Sequence, residues 1–402
     1  MSPYTADVIV VGGGPAGSAT AALLAAAGVE VLLLDRAVFP RDKPCGAYLA
    51  PGCMRFFSAL GVQEDLARLG PLPVGGVELV APSGQSCLLP FGQVPAWSLP
   101  RRTLDAALLA FAKQRGAGIG QGCRVEGVVR DGDRVVGVVA RGPSRVETLR
   151  ASVVVGADGR NSVVARRLGL FGWNAALRRV ALLQDFRPVT AVGHTVGVHL
   201  GPGRYAVLNP QPGGLLHLGL VAPMDTLSRT KGLRHLLAEG LRAAPGAATR
   251  LTGSEPVGSP HAIAPLAFRV RAVGGPGFLL VGDAAGYADP LIGDGVYRAL
   301  LSATVAAEAI LDGRRRPEPP RATPGLYTTR LREALRDRDR LLALLLNLSS
   351  RPWLIERLTN RFARQPDTAR QFLDVVGGLQ PARSLLAPGF WTRLFLPRCW
   401  AA

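Results

Sequence analysis

Between Asp7 and Asp35 the apolar positions fall into two runs, separated by a glycine turn and an alanine-rich stretch. The run Asp7-Val8-Ile9-Val10-Val11 is β-branched and nearly continuous, as expected of a parallel strand buried on both faces. Gly12 to Gly17 turn the chain, a helix runs to Ala27, Gly28 stops it, and a second strand covers Glu30 to Asp35. This order predicts a βαβ unit.

Further along, a helical pattern from Thr103 to Arg115 ends at Gly116, and two strands follow around Val125 to Val139 with an Asp131-Gly132-Asp133 turn between them. The run Val153-Val154-Val155 leads into Gly156-Ala157-Asp158-Gly159. From Ala191 to Val221, short apolar stretches separated by Gly201-Pro202-Gly203 and Gln211-Pro212-Gly213-Gly214 predict antiparallel strands in a second layer. Phe278 to Val281 reads as a buried strand, Gly282 to Gly295 as a loop, and Val296 to Leu311 as a helix. The stretch Arg314 to Pro320 is expected to link a C-terminal helical segment.

Composition narrows the function classes. Of 402 residues 48% are hydrophobic, yet no apolar run approaches the roughly 20 residues that span a membrane. The N-terminus enters the first strand without a basic leader, which predicts cytoplasmic residence. Five scattered cysteines with no Cys-x-x-Cys predict reduced thiols rather than a disulfide framework. The histidines are dispersed, and the offset between His194 and His199 puts them on opposite faces of a strand, so no metal site is expected. The net charge of +18 comes from a chain with three lysines, Lys43, Lys113 and Lys231, so arginine dominates and suggests a GC-rich coding background. Basic residues are spread along the chain without a nucleic-acid motif, and no nucleic-acid partner is expected. Residues 312 to 402 hold 17 arginines against 8 acids beside apolar stretches such as Leu341 to Leu346 and Phe390 to Leu396. They read either as core helices with solvated arginines or as a peripheral contact with an anionic membrane.

The candidate chemistry begins at Gly12-x-Gly14-x-x-Gly17. Glycines there permit a tight turn and bring backbone N–H groups to a pyrophosphate at a helix N-terminus, while Asp35, closing the next strand, accepts hydrogen bonds from a ribose. An acid at that position favours a free 2′-hydroxyl, as in FAD or NAD.

Three later segments carry a resemblance: Arg101 at the start of a helix, Gly156-Ala157-Asp158-Gly159-Arg160-Asn161-Ser162, and Gly282-Asp283-Ala284-Ala285. In this order they resemble the FAD-dependent family of aromatic hydroxylases and geranylgeranyl reductases over residues 5 to 311. The resemblance implies that Arg101 lies near the FAD phosphates and that Asp283 binds the ribityl chain. It adds Ala16, Arg36, Val125 and Asp158 to the cofactor contacts. Asp289-Pro290-Leu291-Ile292-Gly293-Asp294-Gly295-Val296-Tyr297 and Lys43-Pro44-Cys45-Gly46-Ala47 are similar to segments of the geranylgeranyl reductase branch, which implies that Cys45, Gly46, Pro290, Gly293, Asp294 and Gly295 border the flavin. The branch's Tyr-x-Trp-x-Phe-Pro pattern departs here to Tyr205-Ala206-Val207-Leu208-Asn209-Pro210, so a smaller or more polar substrate than a long prenyl chain is conceivable. The halogenases' Trp-x-Trp-x-x-Pro element is absent.

The expected fold is α/β: a Rossmann-type FAD-binding domain over residues 1–70, 98–170 and 262–311, an interleaved antiparallel β-sheet substrate domain over 71–97 and 171–261, and helices over 312–402. The expected reaction reduces a carbon–carbon double bond of an apolar substrate, with Cys45 and Tyr205 as proton-donor candidates. No second nucleotide fold is found, so NAD(P)H would bind transiently or a redox protein would deliver electrons. A monooxygenase and a prenyl-binding carrier are the alternatives.

Overall fold

A computed structural model describes residues 5–188, 192–228, 232–315 and 319–395. The predicted βαβ unit comprises the strand Ala6–Val11, the helix Pro15–Ala26 and the strand Val31–Asp35. Ala6–Val11 pairs in parallel with Val31–Asp35 on one side and with Val146–Gly156 on the other. The parallel order continues to Gly118–Gln121 at one edge and to Phe278–Leu280 towards the other. Val8, Ile9 and Val10 are buried, because helices cover one face of the sheet and a strand hairpin the other.

The strand Val146–Gly156 is 11 residues long and serves two partners. Its first half pairs antiparallel with Gly137 to Arg141, and its second half joins the parallel sheet. The sequence shows only the apolar end of it, since the half beside the hairpin alternates between exposed and half-buried positions. The helices Arg101–Gln114 and Gly295–Arg314 pack with Pro15–Ala26 over one common core. The first of these starts ahead of the predicted Thr103, because Pro100 holds the extended N-cap conformation and leads straight into the first turn.

The second sheet has seven strands, in the order Glu255–Ile263, Arg179–Arg187, Leu215–Pro223, Arg204–Gln211, Thr195–Gly201, Gly76–Val80, Ser86–Pro90. The expectation of an antiparallel sheet holds for all but one pair: Thr195–Gly201 runs parallel to Gly76–Val80. These two strands are separated by the length of the first domain's hairpin and helix, so no tight turn fixes their relative direction. Two-residue alternation divides the sheet into two faces. Ala206, Leu208, Leu218 and Leu220 pack beneath the helices Leu233–Arg242 and Pro245–Arg250. Val196, Tyr205, Val207 and Val221 face the opposite way, into a cavity.

The helices Pro319–Ser349, Pro352–Arg364 and Pro366–Val376 close that cavity from above, and the short helices Arg383–Leu386 and Pro388–Phe395 follow them. Leu341, Phe390 and Leu394 are buried in one cluster with Cys87 and Leu89 of the strand Ser86–Pro90. Within the stretches at 341–346 and 390–395, Leu341, Leu342, Phe390 and Leu394 are core, whereas Ala343, Thr392 and Arg393 are exposed and the others half-buried. Leu396, Cys399 and residues 316–318 of the expected linker lie outside the described residues. No described helix is long and apolar enough to cross a membrane, and no described cluster of three or more His, Cys, Asp or Glu could hold a metal ion.

His194 is exposed and His199 is buried, at 3% exposure. Neither ring nitrogen of His199 has a hydrogen-bond partner. Burial, assisted by the neighbouring Arg250, lowers its pKa from 6.5 to about 4. The unfolded chain therefore takes up a proton at His199 before the folded protein does, and stability falls as pH drops from 6.5 towards about 4. His199→Leu should remove on the order of 2–3 kcal/mol of that acid-side loss, read from urea unfolding at pH 7 and pH 4.5. Identical pH slopes for the two proteins would refute it.

Candidate cofactor and substrate site

The loops that leave Ala6–Val11, Val146–Gly156 and Phe278–Leu280 converge, because these strands are neighbours in the parallel sheet. Gly12 has φ +106°, and a Cβ there would lie 2.6 Å from the Ala157 carbonyl oxygen. A Cβ on Gly17 would lie 1.8 Å from the Gly12 oxygen. Gly14 differs, since its Cβ would meet nothing closer than the Arg101 guanidinium at 3.7 Å. Gly12 and Gly17 thus permit backbone packing, whereas Gly14 leaves open space at the mouth of an uncapped helix N-terminus.

Around that space stand Arg36, Arg41, Lys43 and Arg101. Asp105, one helical turn beyond Arg101 and fully buried, accepts from Arg101 Nε at 2.6 Å and from its terminal nitrogen at 2.7 Å. It also pairs with Arg41 at 3.1 Å. One carboxylate therefore orients two guanidinium groups towards the helix terminus. Burial first, and then the charge of Arg101, lower the pKa of Lys43, while Asp283 opposes them. Such a crowd of cations is suited to a dianionic pyrophosphate. Asp35 accepts from Gly13 N–H at 2.7 Å and from Ala37 N–H at 2.8 Å, which leaves one lone pair on each oxygen for a ribose.

Asp158 caps the helix Val163–Arg167, its Oδ2 accepting from Val163 N–H at 2.6 Å, while its buried Oδ1 has no donor. Asp283 lines the cavity, and none of the described residues donates a hydrogen bond to its carboxylate. Burial pushes its pKa up, against the pull of Arg101 and Lys43. Ala16, Val125, Cys45, Gly46, Pro290, Gly293 and Gly295 also line the cavity. Two expected cofactor contacts do not. Gly17 is occupied in packing, and Asp294 turns away to the buried Arg338 at 3.2 Å and to Arg298 at 3.8 Å. A buried guanidinium needs a carboxylate, and Asp294 is the one that Arg338 has.

Beyond the charged end the same cavity, about 1200 Å³ in all, becomes apolar. Val77, Leu79, Val196, Val198 and Val207 form one wall, and Leu345, Leu348, Ile355 and Phe362 of the C-terminal helices form the other. Tyr205, Val207 and Asn209 share the cavity face, as alternation predicts. The Tyr205 hydroxyl is not free, however: it donates to Asp289 Oδ1 at 2.6 Å, and Arg179 holds the other oxygen of Asp289 at 2.8 Å. Burial, then Asp289, raise the Tyr205 pKa well above its ordinary value, which makes it a poor proton donor.

The structure adds groups that sequence reasoning passed over. Arg41, Lys43 and Asp105 carried a signal, in the basic stretch before Cys45 and the four-residue offset from Arg101. Tyr287, His217 and Asp185 carried none, because each reaches the site through sheet pairing or a loop.

The cavity fits FAD. An open glycine beside an uncapped helix and four cations would take the pyrophosphate, Asp35 the ribose, and Asp283 with the orphaned Asp158 Oδ1 the hydroxyl-bearing chain. Gly14→Val is expected to cost the apoprotein no more than about 2 kcal/mol, yet to weaken FAD binding at least about a hundredfold, roughly 3 kcal/mol. Gly17→Ala should instead prevent folding. Thermal melts of the apoproteins and flavin absorbance on titration separate the two; equal FAD binding by Gly14→Val and wild type would exclude this pyrophosphate site. Asp283→Asn relieves a buried charge, so its apoprotein should melt higher while FAD affinity falls about tenfold. A variant that binds FAD as tightly as wild type would remove Asp283 from the site.

Comparisons with known proteins accord with this geometry. The sequence pattern of a family described as an FAD binding domain matches residues 5–201. A menaquinone reductase of Mycolicibacterium smegmatis is 31% identical over 330 residues, covering 77% of each chain. Digeranylgeranylglycerophospholipid reductase 1 of Methanopyrus kandleri is 29% identical over 347 residues, covering 82% of this chain and 87% of that protein. A flavin-dependent brominase structure superposes with a TM-score of 0.83 at 22% identity over 93% of each chain, a likeness of fold. The chain belongs to the FAD-dependent oxidoreductases of the geranylgeranyl reductase type.

Proposed function

We propose that the protein reduces a carbon–carbon double bond in a largely apolar, isoprenoid-like substrate held in the non-charged part of the cavity. The observation that carries this reading is the continuity of the cavity: at about 1200 Å³ it exceeds the roughly 300–1,000 Å³ of an ordinary small-molecule site. Its volume accommodates a dinucleotide and a second, apolar ligand end to end. The names of the menaquinone and digeranylgeranylglycerophospholipid reductases support the same substrate class.

Bound FAD supplies the hydride chemistry. The protein's own residues bind, orient and exclude water. Val196, Val198 and Val207 below and Leu345, Leu348 and Ile355 above leave few partners for water along an apolar chain. Asp289 fixes the Tyr205 ring as part of the floor. With the Tyr205 proton held, the Cys45 thiol, which lines the cavity on the loop Lys43 to Ala47, is the candidate donor that remains of the two. The electron donor is a nicotinamide that binds transiently or a redox protein.

The test loads the protein with FAD, reduces it anaerobically with dithionite and offers prenyl, polyprenyl-quinone and phenolic compounds, with mass spectrometry of the products. A gain of two hydrogens without oxygen is expected. Removing the proton donor, by Cys45→Ala, should slow this step roughly 100-fold, measured on protein saturated with FAD. Product that forms only once oxygen is admitted, carrying one oxygen atom, would establish monooxygenation instead.

A further inference from the structure

Three strands place Asn209, His217 and Asp185 in one row, the first two on the cavity floor and Asp185 at its half-exposed end: Asn209 is paired with His217 across one strand boundary, and His217 with Asp185 across the next. Asn209 is 1% and His217 9% exposed, and both line the cavity. Hydrogen bonding fixes their orientations. Asn209 Nδ2 donates to the Gly46 carbonyl at 2.7 Å and to Ser98 Oγ at 3.1 Å, so the amide oxygen, which has no donor, points elsewhere. His217 Nδ1 lies 2.5 Å from Asp185 Oδ1. A carboxylate there accepts, so in the neutral ring Nδ1 carries the hydrogen and Nε2 keeps a lone pair. Nε2 is buried and has no partner either.

Two buried acceptors, adjacent in the sheet and facing the cavity, leave a demand for a donor that none of the described residues meets. Burying an acceptor without a partner is costly, and in folded proteins such atoms are satisfied by water or by a ligand. The neighbouring floor positions, Val207, Gly219 and Val221, contribute no polar side chain.

We propose that a substrate hydroxyl donates its one hydrogen to His217 Nε2, beside Asn209 Oδ1, so that the ligand is an apolar chain bearing an alcohol or phenol rather than a plain hydrocarbon or an ether. Asp185 acts as a positioning residue that sets the His217 tautomer. The proposal rests on the reading of the cavity as an apolar-substrate site. It refines that reading by naming the group that anchors one end. Through Gly46 it also ties the seat to the loop that holds Cys45.

The test uses the FAD-loaded protein and two probes, the C20 prenyl alcohol geranylgeraniol and its methyl ether, which keeps the oxygen and lacks the donated hydrogen. Calorimetry should find the alcohol bound about tenfold more tightly than the ether. In histidine-labelled protein the nitrogen resonance of His217 Nε2 should move upfield with the alcohol and stay in place with the ether. His217→Leu should cut the preference at least threefold, and His217→Gln, which restores an acceptor, should recover part of it. Equal affinities for the two probes, an unmoved Nε2 resonance or a preference unchanged in His217→Leu would overturn the hydroxyl seat alone, leaving at most an ordered water there. Failure of both probes to bind would overturn the seat and the apolar-substrate reading together. Should His217→Leu not fold, the two-probe affinities and the resonance on wild-type protein decide the matter.

Discussion

The approach of backbone to backbone at the carboxyl ends of three parallel strands is the constraint on which the site depends. At Gly12 and Gly17 no side chain has room, and at Gly282 a Cβ would come within 2.9 Å of that of Ala16. This packing brings the start of the helix Pro15–Ala26, the Asp158 loop and the Asp283 loop together. Their polar groups then face one space, and neither Asp158 Oδ1 nor the Asp283 carboxylate finds a donor. A site built this way is held by main-chain geometry and tolerates little drift, as dinucleotide binding requires. Charge is added by side chains in the same economical manner, with Asp105 anchoring both Arg101 and Arg41.

Much of this end was legible in the sequence because it is local. Gly12, Gly14 and Gly17 lie within six positions, the two acidic loops follow strand-like runs, and each motif carries its own element with it. What was not legible arises from pairing across sequence distance. Asp185 and His217 meet only because two strands align in register, and nothing near either residue announces the other. Asp294 misled for the opposite reason. Its neighbours Gly293 and Gly295 do line the cavity, but its own side chain answers to Arg338, 44 residues away on a C-terminal helix. In the arginine-rich C-terminal segment composition does not tell which leucines are core: Leu341, Leu358, Leu373, Leu385 and Leu394 are buried in one cluster with Leu89 of the strand Ser86–Pro90.

The seven-stranded sheet works as a partition. One residue in two contributes to a conventional core under short helices, and the alternate residues form the cavity floor. A slip of one residue in any strand would exchange the two sets. The polar row across the floor is therefore specified by the same register that specifies the core, and cannot be lost without disturbing it. Its members lie at the same level of three adjacent strands, so the position of a polar group along the cavity is set by strand pairing and not by a loop.

The two ends of the cavity are built from different parts of the chain and by different means. The charged end uses backbone and a few arginines from the first half, which leaves little freedom to vary. The apolar end is side chains throughout, those of its roof coming from helices after Pro319 that carry no motif. Those helices are nonetheless fixed to the cofactor end: Arg338 reaches from Pro319–Ser349 to Asp294, donates to the Val376 carbonyl at 3.0 Å, and lies over the Tyr297 ring. Substitutions in the roof can thus change the shape of the substrate end while this anchor keeps the helices in place. The brominase structure shares this fold at 22% identity, and a fold alone does not fix which ligand the apolar end takes.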